Sequence, residues 1–128
     1  ELEAPEIIFL VARLNDNVVG CGAVANKGAY GEVKSMFTDK ACMGKGVADA
    51  ILTALVDAAC DAGLTKMCLE TGDTLYAAHR LYERHDFKRC GPFGDYPDDP
   101  ISLFYEKALG RAFAGRNART SVGRIRTC

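Results

Sequence analysis

A chain of 128 residues has room for one domain around one core, and 48% hydrophobic with 26% charged residues is an ordinary globular composition. No apolar run approaches the ~20 residues that span a bilayer. None of the six cysteines (21, 42, 60, 68, 90, 128) forms a CxxC pair, which argues against a metal site and for reduced, mostly buried thiols in a cytoplasm. Formal net charge is −1, but residues 111–128 hold five arginines and no acid, leaving 11 basic against 17 acidic residues (−6) in the rest. An acidic body favours cationic, amine-bearing partners over nucleic acid, unless the charge serves only solubility.

Ile7–Leu14 is a continuous apolar run, the signature of a buried strand, and Asn15-Asp16-Asn17 is a turn. Val18–Ala25 returns as a second strand, so the two read as a hairpin. Glu32–Thr38 is a third strand. Val47, Ile51, Leu55, Ala58, Ala59 and Ala62 then recur at helical spacing, with Asp49, Asp57 and Asp61 on the solvated side and Gly63 as terminator. Lys66–Glu70 is a central strand, and Thr74–His85 a second helix with Leu75, Ala78, Leu81 and Tyr82 on one side. His79 and His85 read as exposed residues of that helix. Phe87–Cys90 and Ile101–Lys107 are further strands, separated by the turn-rich loop Gly91–Pro100. The order implies an α/β architecture: a central mixed sheet with helices on both faces. Residues 1–109 form this domain. The stretch 110–128, rich in Arg, Ser and Gly, reads as a disordered basic tail.

The most informative stretch is Met36–Leu52: a strand end, a glycine-punctuated turn, then a helix. A helix start offers unpaired N–H groups and the positive end of the macrodipole. Gly44 and Gly46 let the backbone approach a ligand, so the turn is a socket for phosphate oxygens or simply a loop. The pattern GxxxxGK[ST] is absent, and GxGxxG would need a glycine where Asp49 stands. Gly20 and Gly22 read as strand glycines with packing roles.

Two motifs in order resolve the choice. Met43-Gly44-Lys45-Gly46-Val47-Ala48 is similar to the Q/R-x-x-G-x-G/A loop of the GNAT superfamily, the acetyl-CoA-dependent N-acetyltransferases. Ala78, Leu81-Tyr82-Glu83 and Phe87 resemble its later A-x-x-LYE-x-x-GF motif. The resemblance covers about residues 7–109, with departures at Met43 (for Gln or Arg), Leu75 (for Asn or Gln) and Asp86 (for Gly). It implies that acetyl-CoA is held by Met36, Phe37, Thr38, Met43, Gly44, Lys45, Gly46, Val47 and Ala48, the first three through backbone groups. It further implies Glu32 as the base that takes the amine proton and Tyr82 as the acid for the departing thiolate. Without the resemblance these two are a cross-strand ion-pair partner and a core tyrosine. Phe93, Asp95 and Tyr96 would hold the acceptor's ammonium group, or serve turn chemistry. The family's usual N-terminal strand and two helices are expected to be lacking, which would bare the edge at Ile7–Leu14 and lead to a homodimer. The expected activity is acetyl transfer to a primary amine of a small molecule or peptide. The alternative is a non-catalytic acyl-CoA-binding module.

Overall fold

The computed structural model describes residues 6–110 and 122–126. Its elements run β1 (Glu6–Leu14), β2 (Asn17–Asn26), β3 (Gly31–Thr38), a short 3-10 turn (Lys40–Cys42), α1 (Val47–Asp61), β4 (Lys66–Gly72), α2 (Tyr76–Arg84), β5 (Lys88–Cys90), β6 (Ser102–Ala108) and β7 (Val122–Arg126). They form one mixed sheet in the order β5-β6-β4-β3-β2-β1-β7. β3 and β4 run parallel, and the other neighbours are antiparallel. The β1–β2 hairpin closes through Asn15 (φ 51°) and Asp16 (φ 70°), the side chains that best tolerate a left-handed two-residue turn.

Helix α1 buries Ile51, Leu52, Leu55 and Ala59 completely. Each of the three large side chains removed from water stabilises the fold by ~1.5–3 kcal/mol. The helix lies close on β2 because Gly20 and Gly22 stand beneath it. A Cβ at Gly20 would meet Val47 Cγ1 at 2.8 Å, and one at Gly22 would meet Ile51 Cγ2 at 2.7 Å. The expected packing role of these glycines is thus visible. Gly63 (φ 83°) ends the helix, letting the Leu64 N–H reach back to the Ala59 carbonyl at 3.0 Å.

The mixed sheet stands, but its helices share one face instead of covering both. One core joins Ile8, Leu10, Val24, Val33, Met67, Leu69 and Tyr105 of the strands with Ile51 and Leu55 of α1 and Leu81 and Tyr82 of α2. The reason is handedness. β3–α1–β4 and β4–α2–β5 step across the sheet in the same direction, and right-handed crossovers in one direction put their helices on the same side. Strand alternation turns Glu32, Cys68, Glu70 and Phe104 to the opposite face. There the loop between β5 and β6 provides cover, with Phe93 and Tyr96 packed edge-on against Phe104.

A second expectation fails in the tail. Residues 122–126 pair antiparallel with Ile8–Ala12 of β1, so this part of the basic stretch is a strand and not disordered. The outer edge of β1 offers a row of unpaired N–H and C=O groups, which the tail satisfies. The rest of that expectation (111–121, 127 and 128) lies outside the described residues. The bare β1 edge on which dimerisation was expected is therefore occupied.

Helix α2 ends on Asp86 (φ 68°), the position where the resembling motif has glycine. The Asp86 N–H bonds the Glu83 carbonyl at 3.1 Å and the Phe87 N–H bonds the Tyr82 carbonyl at 3.0 Å. A left-handed residue is what allows both bonds, and Asp there carries a strain that Gly lacks. Asp86→Gly is expected to raise stability by about 0.5–1 kcal/mol, read as a higher denaturation midpoint at unchanged cooperativity.

Candidate active site

The site is a gap in the sheet. β3 and β4 pair only at Gly31↔Met67 and Glu32↔Cys68, and beyond these they part. The cause lies in β3. Ser35 takes a left-handed conformation (φ 59°) and the β2–β3 register slips between Cys21 and Ala23, a bulge that bends β3 away from its neighbour. The resulting cleft, about 690 Å³, is lined from the helix face by Val33, Met36 and Thr71 and from the opposite face by Lys34, Phe37 and Glu70. The gap therefore opens through the sheet.

The glycine turn closes one end. Asp39 caps the 3-10 turn through Ala41 N–H at 3.1 Å, and Gly44 (φ 81°) and Gly46 (φ 83°) follow, Gly46 as the N-cap of α1. No side chain caps α1, and its first internal bond is Ala50 N–H to Gly46 O at 3.0 Å. The N–H groups of Val47, Ala48 and Asp49 are thus left for a ligand. A Cβ at either glycine would meet nothing within 4 Å, so the space before the helix is open, a cradle that a side chain would fill. These features fit the pyrophosphate of acetyl-CoA. Of the nine residues expected to hold it, Met36, Phe37, Thr38, Met43, Gly44, Gly46, Val47 and Ala48 line the cleft; Lys45 is exposed outside it.

α2 closes the other side. Its Arg80 and Arg84, one turn apart, also line the cleft. Asp49 in the first turn of α1 accepts from Arg84 Nε and Nη2, both at 3.1 Å, and pairs with His85 Nε2 at 2.8 Å. Burial works against the Asp49 carboxylate, but hydrogen bonds from His85 and Arg84 outweigh it and hold the group below its ordinary range. His79 Nε2 meets the Gly72 carbonyl at 2.8 Å, tying α2 to the end of β4. Both histidines expected to be exposed thus have structural partners.

Tyr82 is 6% exposed and lines the cleft, with its ring against Phe87 and Tyr105. Burial pushes its pKa to about 12, so it keeps its proton across the neutral range. Glu32 behaves differently. It is 4% exposed and stands outside the cleft lining. Its Oε2 accepts the Tyr96 hydroxyl at 2.6 Å, and Lys27 Nζ lies 3.9 Å from Oε1. Phe93 and Tyr96 belong to an aromatic cluster with Tyr30 and Phe104, ring centroids 5.2–5.8 Å apart, and Asp95 is exposed beside them. None of these three lines the cleft.

Sequence reasoning missed Glu70, Arg80 and Arg84. Glu70 had a signal: an acid two residues past Cys68 in an otherwise apolar strand must emerge on the face opposite Leu69. Ser102 Oγ donates to its Oε2 at 2.8 Å.

With this geometry the comparisons with known proteins agree. The family model described as an acetyltransferase (GNAT) domain matches residues 5–89. A protein of Azospirillum brasilense named IAA acetyltransferase is 47% identical over 112 residues, covering 84% of this chain and 72% of its own. The protein YsnE of Bacillus subtilis, named an uncharacterized N-acetyltransferase, is 39% identical, covering 85% and 74%. Among solved structures, an acyl-CoA N-acyltransferase of Klebsiella pneumoniae superposes with a TM-score of 0.79 at 33% identity, covering 82% of this chain and 74% of that one. The PaiA N-acetyltransferase of Thermoplasma acidophilum, solved with coenzyme A, shares the fold at a TM-score of 0.73 and 15% identity, covering 81% and 62%. A split parallel strand pair beside an uncapped, glycine-led helix is therefore no isolated resemblance: the chain belongs to the GNAT family of acetyltransferases and is an acetyl-CoA-dependent N-acetyltransferase.

Proposed function

We propose that the acceptor is a primary amine of a small molecule or peptide that reaches the gap from the face opposite the helices and attacks directly, without a covalent enzyme intermediate. The observation that carries this reading is the gap itself. The glycine turn opens at its helix side, and acidic and aromatic groups surround its other side. Bound acetyl-CoA supplies an activated acyl thioester. The protein's part is to align two reactants across the sheet, which is a large source of rate by itself. Cys42 lines the cleft, but the two histidines that would activate it are engaged by Gly72 and by Asp49. Tyr82, protonated at neutral pH, serves the departing thiolate as hydrogen-bond donor. Glu32 anchors Tyr96 and with it the loop that carries Phe93 and Asp95. An exposed carboxylate beside aromatic rings suits a cationic acceptor.

Among the described residues no helix is long and apolar enough to cross a membrane. The finer reading is a cytoplasmic homodimer. It is supported by the five cysteines among the described residues, all free, and by exposed Leu14 and Val18 at the tip of the first hairpin. Light scattering at micromolar concentration is expected to give twice the chain mass.

Gly46→Glu forces a side chain into a left-handed position, at ~1–2 kcal/mol, and puts a negative charge in the phosphate socket. CoA binding by titration calorimetry is expected to vanish while circular dichroism still reports a folded chain. Unchanged affinity would count against the phosphate assignment.

Tyr82→Phe keeps the ring contacts and removes the hydroxyl. CoA affinity is expected to hold while kcat falls by ~10²–10⁴-fold. Because the wild-type phenol titrates only near pH 12, its ionisation leaves the neutral pH–rate profile flat. Full turnover in the variant would reduce Tyr82 to a packing residue. An acyl-CoA-binding module without turnover would show CoA binding and no acetylation of any amine in a panel.

A further inference from the structure

We propose that Glu70, and not Glu32, takes the proton of the attacking amine. The proposal rests on the direct-attack reading above. A base for that step must reach the gap with an oxygen still able to accept. Glu32 meets neither requirement. It stands outside the cleft lining, one oxygen takes the Tyr96 hydroxyl at 2.6 Å, and the other faces Lys27 at 3.9 Å.

Glu70 meets both. It lies on β4 two residues beyond the last β3–β4 pair, Glu32↔Cys68, where the strands have parted and no neighbouring strand covers that side. It lines the cleft from the acceptor face. Its one hydrogen bond among the described residues, from Ser102 Oγ to Oε2 at 2.8 Å, fixes the carboxylate without consuming it and leaves Oε1 to accept. The groups around it are known. Lys34 lines the facing wall on β3, Tyr96 of the β5–β6 loop stands near enough for Glu70 to raise its pKa, and Glu32 lies behind that phenol. The Tyr96 proton is committed to Glu32, which leaves Glu70 as the carboxylate that lines the gap.

The step balances. The neutral amine nitrogen donates its lone pair to the thioester carbonyl carbon, forming the C–N bond. The C–S bond breaks and its electron pair leaves on sulfur, hydrogen-bonded by Tyr82. The proton lost by nitrogen passes to Glu70 and from there to solvent, which returns a proton to the thiolate.

The test compares wild type, Glu70→Gln, Glu70→Asp and Glu32→Gln with acetyl-CoA and an amine that wild type acetylates. CoA affinity is measured separately by calorimetry. Glu70→Gln keeps the shape and the Ser102 contact, and it is expected to lower kcat about 100-fold or more with CoA affinity unchanged. Glu70→Asp, which keeps a carboxylate, should restore part of the rate. Glu32→Gln should lower kcat less than Glu70→Gln does and should lower thermal stability. Three results would overturn the assignment: wild-type kcat in Glu70→Gln, a rate loss matched by lost CoA affinity, or a larger kcat loss in Glu32→Gln than in Glu70→Gln. Wild type that binds CoA but acetylates no amine would remove the direct-attack reading and this role with it, whereas the three results above leave acetyl transfer intact.

Discussion

Everything in this molecule turns on the bulge at Ser35. A regular β3 would stay paired with β4 along its length, and the sheet would be closed. A left-handed Ser35 and one slipped register are enough to part the strands after two pairs. The strain of order 1 kcal/mol that a non-glycine residue bears there is held in place by β2 on one side, including Cys21 Sγ against the Ser35 carbonyl at 3.4 Å. Opening the sheet frees backbone groups that would otherwise be consumed in the ladder, and it makes a passage between two faces of different character. One face holds helices and the open glycine cradle; the other holds acids and aromatic rings.

That division explains the placement of charge. On the helix side the cleft is lined by the start of α1, with its free N–H groups, and by Arg80, both complementary to phosphate. Asp49 would oppose an anion there if it were free. Its bidentate hold on Arg84 and its bond to His85 neutralise it and lock the start of α1 to the end of α2. Because the pair is exposed, its part in overall stability is small. Its effect is geometric, fixing the two helices that flank the cleft.

The elements were legible in the sequence because periodicity and glycine placement are local. Both helices, six of the strands and the glycine turn lie within about two residues of where patterning puts them. The cradle before α1 was legible for the same reason, since a loop followed by a helix start is contiguous in the chain. What was not legible depends on distance in space. Glu32 stands alone in the sequence, and its partner Tyr96 comes 64 residues later. Glu70 gains meaning only from the failure of β3 to pair with it. The tail at 122–126 reads as polar and irregular, yet an open strand edge accepts almost any backbone. The single-faced arrangement of the helices follows from strand order, which no local pattern encodes.

The second family motif can be understood in the same physical terms. Tyr82 lines the cleft near the end of α2, and this end is held against fraying. The stop is built from the residues that follow. Asp86 turns left-handed, Phe87 N–H closes on the Tyr82 carbonyl, and the Phe87 ring packs on the Tyr82 ring with centroids 5.8 Å apart. Glu83, between them, accepts the Tyr105 hydroxyl at 2.7 Å and so ties the same turn to β6. Tyr105 in turn packs against Tyr82 from below. Leu-Tyr-Glu-x-x-x-Phe is therefore a helix end whose every member restrains one phenol. Substituting Asp for Gly in it costs strain without loosening the hold, because the two backbone bonds that require the turn are still made.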